Sequence, residues 1–149
     1  MEALQRLTRR QVEALEAVRA TETPQRGASL YAVAEALRVR SPSALDHLTQ
    51  LEALRLVRRY RGKSRLTPRG QETLVEYRRH HRIAESMFSR LGLSPEDTCA
   101  AAREVDLALS HRTVERLCVA EGHPSTCPHG EPIPACATPE RSGGRALCR

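Results

Sequence analysis

The residues best suited to bind something in this 149-residue chain are its five cysteines and six histidines. No cysteine precedes Cys99; Cys118, Cys127, Cys136 and Cys148 follow, with eight residues between successive members of Cys118, Cys127 and Cys136. His123 and His129 lie in the same stretch, in Gly-His-Pro and Cys-Pro-His-Gly. Thiolates are soft ligands suited to iron–sulfur clusters or zinc, and imidazole suits zinc and iron. The spacing fits no zinc-finger or ferredoxin pattern, so the density of soft ligands carries the signal. Thiols packed in a helical core beside turn-forming Pro and His are the competing reading. Cys148 falls in a terminal stretch without apolar pattern and is set aside.

A second group is His80, His81 and Glu85. His81 and Glu85 are one helical turn apart and can chelate one ion together, or simply pair on a helix surface. Catalysis has little support. The chain has no glycine-rich phosphate loop, nucleophile elbow or His-Glu-x-x-His run. Cys127 and His129 are two apart, without the surroundings a hydrolase needs, and no enzyme is expected.

Charge adds a partner. The net charge is +6, with 24 Lys+Arg against 18 Asp+Glu, and Lys63 is the only lysine. Between Leu37 and Gly70 stand Arg38, Arg40, Arg55, Arg58, Arg59, Arg61, Lys63, Arg65 and Arg69, against only Asp46 and Glu52. That stripe is a footprint for a polyanion, double-stranded DNA first. Aromatics are 3% of residues, with no Trp, which leaves little for a base-stacking platform. No apolar run approaches a membrane span and Met1 opens no signal peptide, so a cytoplasmic protein without membrane contact is expected.

The elements that must position these residues follow from periodicity. Residues 8–21 read as an amphipathic helix with Val12, Leu15 and Val18 on one face. Ser29 caps a second helix, and Ser41-Pro42 opens a third with Pro in its first turn. Residues 56–60 and 64–67 read as two strands around a Gly62 turn with a basic tip. Three helices and a hairpin predict a winged helix-turn-helix. The third helix then offers Arg40, Ser41, Pro42, Ser43, Asp46, His47 and Gln50 to base edges. Arg58, Arg59, Arg61, Lys63 and Arg65 on the wing would meet phosphates. Thr67-Pro68 opens a long helix to about Leu91, Ser94-Pro95 one to Ala108, and Ser110 one to Cys118. The fold class is mainly α: a winged helix over residues 1–70, a helical dimerisation and metal-binding domain over 71–137, and a mobile tail over 138–149.

Ser41-Pro42-Ser43-Ala44-Leu45-Asp46-His47-Leu48, Leu51-Glu52-Ala53-Leu54-Arg55-Leu56-Val57 and Leu66-Thr67-Pro68-Arg69-Gly70 resemble the winged helix of the diphtheria toxin repressor and manganese-regulator family. The likeness continues through His80-His81-Arg82-Ile83-Ala84-Glu85, Leu109-Ser110 and Val114-Glu115-Arg116-Leu117. It ends at His129-Gly130-Glu131-Pro132-Ile133-Pro134, similar to the family's Gly-Asn-Pro-Ile-Pro. It covers about Leu7 to Pro134, and the order of these motifs is more specific than any one of them. The resemblance implies a dimeric, metal-activated repressor, in the short form that lacks a terminal SH3-like domain. By position it makes His81 and Glu85 two ligands of the ancillary metal site, with Cys99 where a third, usually His, would stand. The primary site departs: Gln11 occupies its N-terminal position, and Arg103, Asp106 and Leu107 stand on the later helix. A one-residue shift would admit Glu104 but not repair Leu107.

A family fold without its usual ligands and with added thiols predicts changed effector chemistry. The leading expectation is a homodimeric regulator, most simply a repressor, sensing iron or redox state through a [4Fe–4S] or [2Fe–2S] cluster on Cys99, Cys118, Cys127 and Cys136. His81, Glu85, His123 and His129 are further candidate ligands. The alternatives are a conventional Fe2+ or Mn2+ repressor and a Zn2+-stabilised regulator. A redox or metal carrier without operator binding is the reading from another class. A two-fold dimer implies a palindromic operator.

Overall fold

The computed structural model describes residues 3–135, so Cys136, Cys148 and the 138–149 segment lie outside the described residues. Two compact units form, one up to Leu74 and one from Val75.

The first unit starts with a 3-10 turn at Leu4–Arg6, then α1 (Arg9–Thr21), β1 (Ala28–Ser29), α2 (Leu30–Leu37), α3 (Ser41–Ala53), β2 (Val57–Tyr60) and β3 (Lys63–Leu66). The helix starts are set by side chains. Thr8 and Gln11 form a reciprocal capping box on α1, and Ser29 accepts from the Ala32 amide at α2. Pro42 occupies the first turn of α3, where its missing N–H costs nothing. Val12, Leu15 and Val18 of α1 bury against a core that includes Val33, Leu48, Leu51, Leu56 and Val57. The sheet is antiparallel in the order β1-β3-β2, with Val57 opposite Leu66 and Ala28 opposite Ser64. Sequence periodicity predicts only the two hairpin strands; β1 is two residues long, too short to show a pattern. The hairpin turns through Arg61 and Gly62, both at positive φ (47° and 71°), the primed geometry that matches strand twist.

Thr67-Pro68-Arg69-Gly70 has a packing reason. The Thr67 hydroxyl accepts from the Gly70 amide at 3.0 Å and donates to the Arg55 carbonyl at 2.7 Å, which caps the next helix against the wing. A Cβ on Gly70 would stand 2.0 Å from the Leu56 carbonyl oxygen, so only glycine fits. This helix, α4 (Pro68–Arg90), begins in the first unit and continues in the second.

The second unit adds α5 (Pro95–Val105) and α6 (His111–Ala120), capped by Ser94 and Ser110. The α5 helix stops short of the predicted Ala108, and residues 106–109 turn the chain toward Ser110. Ile83, Val114 and Cys118 form a buried cluster with Leu109, Leu117 and Ile133 packed on it. Past α6 the chain returns to α4 through proline carbonyls. Arg79 donates to the Pro134 carbonyl at 2.7 Å, and Arg82 donates to the Pro132 carbonyl and pairs with Glu131 at 3.1 Å. Among the described residues no helix is long and apolar enough to cross a membrane.

Candidate metal centre and nucleic-acid interface

The turn of α4 between His81 and Glu85 faces residues from α5 and from the loop after α6. His81 Nε2 is 3.1 Å from Glu85 Oε1 and 3.7 Å from Cys99 Sγ, so the helical pair meets the α5 thiol. On the far side of the ring, His81 Nδ1 is 2.9 Å from Asp106 Oδ2, a fully buried carboxylate. The loop supplies two more candidate donors. The Cys127 amide donates to the Glu131 carbonyl and the Gly130 amide to the Cys127 carbonyl, a tight turn that aims Cys127 and His129 at α4. His129 Nδ1 stands 3.2 Å from the same Glu85 Oε1, while its Nε2 is 3.1 Å from the Pro95 carbonyl oxygen. His81, Glu85 and Cys99 thus form one group of ligand atoms, and Glu85, Cys127 and His129 another, each within 4.8 Å.

The electrostatics match a site that exchanges protons for a cation. Burial works against a charged His81, but hydrogen bonds to Asp106 and Glu85 outweigh it and push the ring up to about 10. Burial raises Glu85, yet hydrogen bonds from His81 and Cys127 prevail and hold it below the usual carboxylate range. Burial, then the Glu85 carboxylate, pushes the Cys127 thiol up. The residues fit a divalent ion by donor chemistry: nitrogen, carboxylate oxygen and sulfur converge, and each imidazole's other nitrogen has a carboxylate or carbonyl behind it.

The remaining candidates sit elsewhere. Cys118 packs with Ile83 and Val114, and its Sγ is 3.7 Å from His123 Nδ1. Neither Cys118 nor His123 belongs to any of the three ligand groups among the described residues. Gln11 is held as a capping residue. Its Oε1 accepts from the Thr8 amide, and its Nε2 donates to Gln50 Oε1 at 2.9 Å. A third group, Glu76, His80 and His111, is absent from the sequence reading apart from His80. The i,i+4 pairs Glu76–His80 and His111–Glu115 are the signal that could have found it.

On the first unit, Arg40, Ser41, Pro42, Ser43, Asp46 and Gln50 are exposed along the start and outer face of α3, with His47 half-buried. Arg58, Arg61 and Lys63 are exposed on the wing, and Arg61 lies over the Tyr60 ring at 5.1 Å. Arg59 is tied to α3 instead: its amide donates to Glu52 and its guanidinium to Thr49 at 3.1 Å. Arg65 is half-buried.

A winged helix followed by a helical unit with clustered metal-type side chains defines the class of fold. Residues 67–135 match the family described as iron dependent repressor, metal binding and dimerisation domain. A hypothetical protein of Sulfolobus solfataricus has a similar structure, with TM-score 0.80 and 24% identity over 86% of this chain and 99% of its own. IdeR of T. acidophilum matches with TM-score 0.63 and 27% identity, over 85% of this chain and 59% of its own. A manganese-dependent transcriptional repressor solved with manganese matches with TM-score 0.67 and 27% identity, over 83% and 57%. The chain therefore spans less than two thirds of the length of these two regulators. No curated protein matches in sequence. Residues 67–135 thus match the metal-binding and dimerisation domain of the iron-dependent repressors, and the chain has the fold of the diphtheria toxin repressor and manganese-regulator family, with an unusual set of candidate metal ligands.

Proposed function

We propose that the protein is a homodimeric transcriptional regulator that binds a palindromic operator when a single divalent ion, Fe2+ first, occupies the site of His81, Glu85 and Cys99. The observation that carries this reading is the convergence of His81 Nε2, Glu85 Oε1 and Cys99 Sγ, with Asp106 fixing the ring from behind. When bound, the ion supplies a fixed positive charge that draws α4 and α5 onto common donors. Asp106 orients His81 and stabilises it as a ligand. Glu85 Oε1 accepts from His81 Nε2 and stands 3.2 Å from His129 Nδ1, so it can also tie the Cys127–His129 loop to the same ion. Two nearby thiols favour Fe2+ or Zn2+ over Mn2+, which prefers oxygen ligands.

This is the conventional single-ion alternative from the sequence, with one ligand changed to sulfur. It is better supported than the iron–sulfur cluster, because Cys99 and Cys127 gather at Glu85 while Cys118 packs in the hydrophobic cluster. On DNA, α3 would read base edges through Arg40, Ser41, Ser43 and Gln50, and the wing cations would hold phosphates.

The test is anaerobic selection of operator sequences from a random duplex pool, followed by anisotropy titrations with and without Fe2+. Binding that tightens tenfold or more with Fe2+ and is lost in His81→Ala supports the proposal. Operator binding of equal strength in chelator, or no selected sequence at low salt, would overturn it.

A further inference from the structure

The residue before His81 faces a different set of donors. His80 is only 1% exposed, and its Nδ1 lies 3.4 Å from the Asp106 carbonyl oxygen. Its Nε2 points the other way and has no hydrogen-bond partner. Glu76 Oε1, one turn earlier on α4, stands 3.8 Å from that nitrogen and 3.7 Å from His111 Nδ1 at the start of α6. His111 Nε2 is 3.1 Å from Glu115 Oε1, although neither ring nitrogen makes a well-directed hydrogen bond.

We infer that Glu76, His80 and His111 form a second divalent-ion site, of the zinc type, sharing no ligand with the His81–Glu85–Cys99 site. Two imidazoles and a carboxylate are a donor set that zinc takes. Donors at about 2.0–2.1 Å from a tetrahedral ion lie roughly 3.3 Å apart, so the 3.8 Å and 3.7 Å spacings from Glu76 to the two rings need close by only about half an ångström. The outward nitrogen of His80 has the Asp106 carbonyl as its acceptor, and the Glu115 carboxylate stands 3.1 Å from His111 Nε2. The Asp106 carbonyl takes the proton of His80 Nδ1 and so turns the lone pair of Nε2 toward Glu76 and His111. Buried polar atoms are rarely left without a partner, and an ion would satisfy His80 Nε2. The side chains of His111 and Glu115 are 17% and 21% exposed, which opens a way in from the surface. Asp106 touches both sites, its carboxylate at His81 and its carbonyl at His80, so the two back onto one residue. The His80 and His111 rings themselves lie 6.0 Å apart and 28° from parallel, a stacked pair.

The test uses the full chain, stripped with chelator and loaded with Zn2+ alone. Zinc counted per chain after dialysis, with X-ray absorption of the bound ion, gives two independent readouts. In the Cys99→Ser/Cys127→Ser variant, one zinc per chain is expected to remain, with a shell of nitrogen and oxygen at about 2.0 Å and no sulfur at about 2.3 Å. Adding His111→Gln or Glu76→Gln weakens that zinc at least tenfold, while circular dichroism shows the helices intact. Should a variant unfold, the wild type decides: a second equivalent of zinc brings imidazole scattering without new sulfur. Zinc retained unchanged in His111→Gln and Glu76→Gln, or no sulfur-free equivalent in the wild type, would overturn the site.

Discussion

Asp106, wholly buried, holds Nδ1 of His81 at 2.9 Å and leaves Nε2 facing Glu85 and Cys99. In a carboxylate–histidine–metal arrangement the outer carboxylate typically matters 10–100-fold for affinity. Asp106→Asn keeps the shape but removes the charge. It is expected to weaken Fe2+ or Zn2+ binding by about 10–100-fold in chelator-competition titrations. Unchanged affinity would mean that Asp106 serves only the core.

The thiols separate by position. Cys99→Ser and Cys127→Ser are expected to lower Fe2+ affinity, whereas Cys118→Ser leaves it unchanged and costs about 1 kcal/mol of stability for a buried hydroxyl. Anaerobic Fe2+ titrations with thermal melts check both. Loss of iron in Cys118→Ser would return the iron–sulfur reading.

Protons compete with the ion at His81. Because its ring is held near 10 in the fold, metal binding must displace that proton at neutral pH. Affinity should then climb about tenfold per pH unit from pH 6.5 upward, as far as metal hydrolysis allows a titration. A flat profile would exclude His81 as a ligand.

The apo chain should be most stable near neutrality. His81 is raised to about 10, so its contribution is full below about 6.5, the unfolded value, and is lost as pH rises toward 10. His80 is pushed down to about 4 mainly by burial, so the unfolded chain binds the extra proton between about 6.5 and 4 and stability falls as pH drops through that window. Denaturant melts of metal-free protein across pH 4.5–9 measure both limbs. His80→Gln is expected to flatten the acid limb and leave the alkaline one.

Much of this architecture was legible in the sequence, for identifiable reasons. Ser29, Ser94 and Ser110 announce helix starts because capping is local chemistry, and each accepts from the amide three residues on, while Ser41-Pro42 marks the first turn of α3 without a side-chain cap. The His81–Glu85 pair was legible because helical spacing fixes it. What joins that pair was not: Cys99 and the Cys127–His129 loop reach Glu85 only through tertiary packing, set by Arg79 and Arg82 on proline carbonyls. Asp106 reads as the relic of a metal position, and only the fold shows it behind His81. Arg59 reads as one more wing cation, and only the fold shows it tied to Glu52 and Thr49.

That difference among cations can be measured on DNA. Arg58→Ala, Arg61→Ala and Lys63→Ala should each weaken binding across all sequences and reduce the salt slope by about 1 if the residue meets one phosphate. Arg40→Ala and Ser43→Ala should relax sequence preference instead. Equal loss on operator and random duplex in the α3 variants would contradict the recognition-helix assignment.

The most direct measurement of the central claim is X-ray absorption at the iron edge of the anaerobic chain loaded with one equivalent of Fe2+. A single-ion site on His81, Glu85 and Cys99 gives a mixed nitrogen, oxygen and sulfur shell that loses sulfur in Cys99→Ser, with no iron–iron scattering. A sulfur-only shell with iron–iron scattering, or a shell unchanged by both Cys99→Ser and His81→Ala, would contradict it.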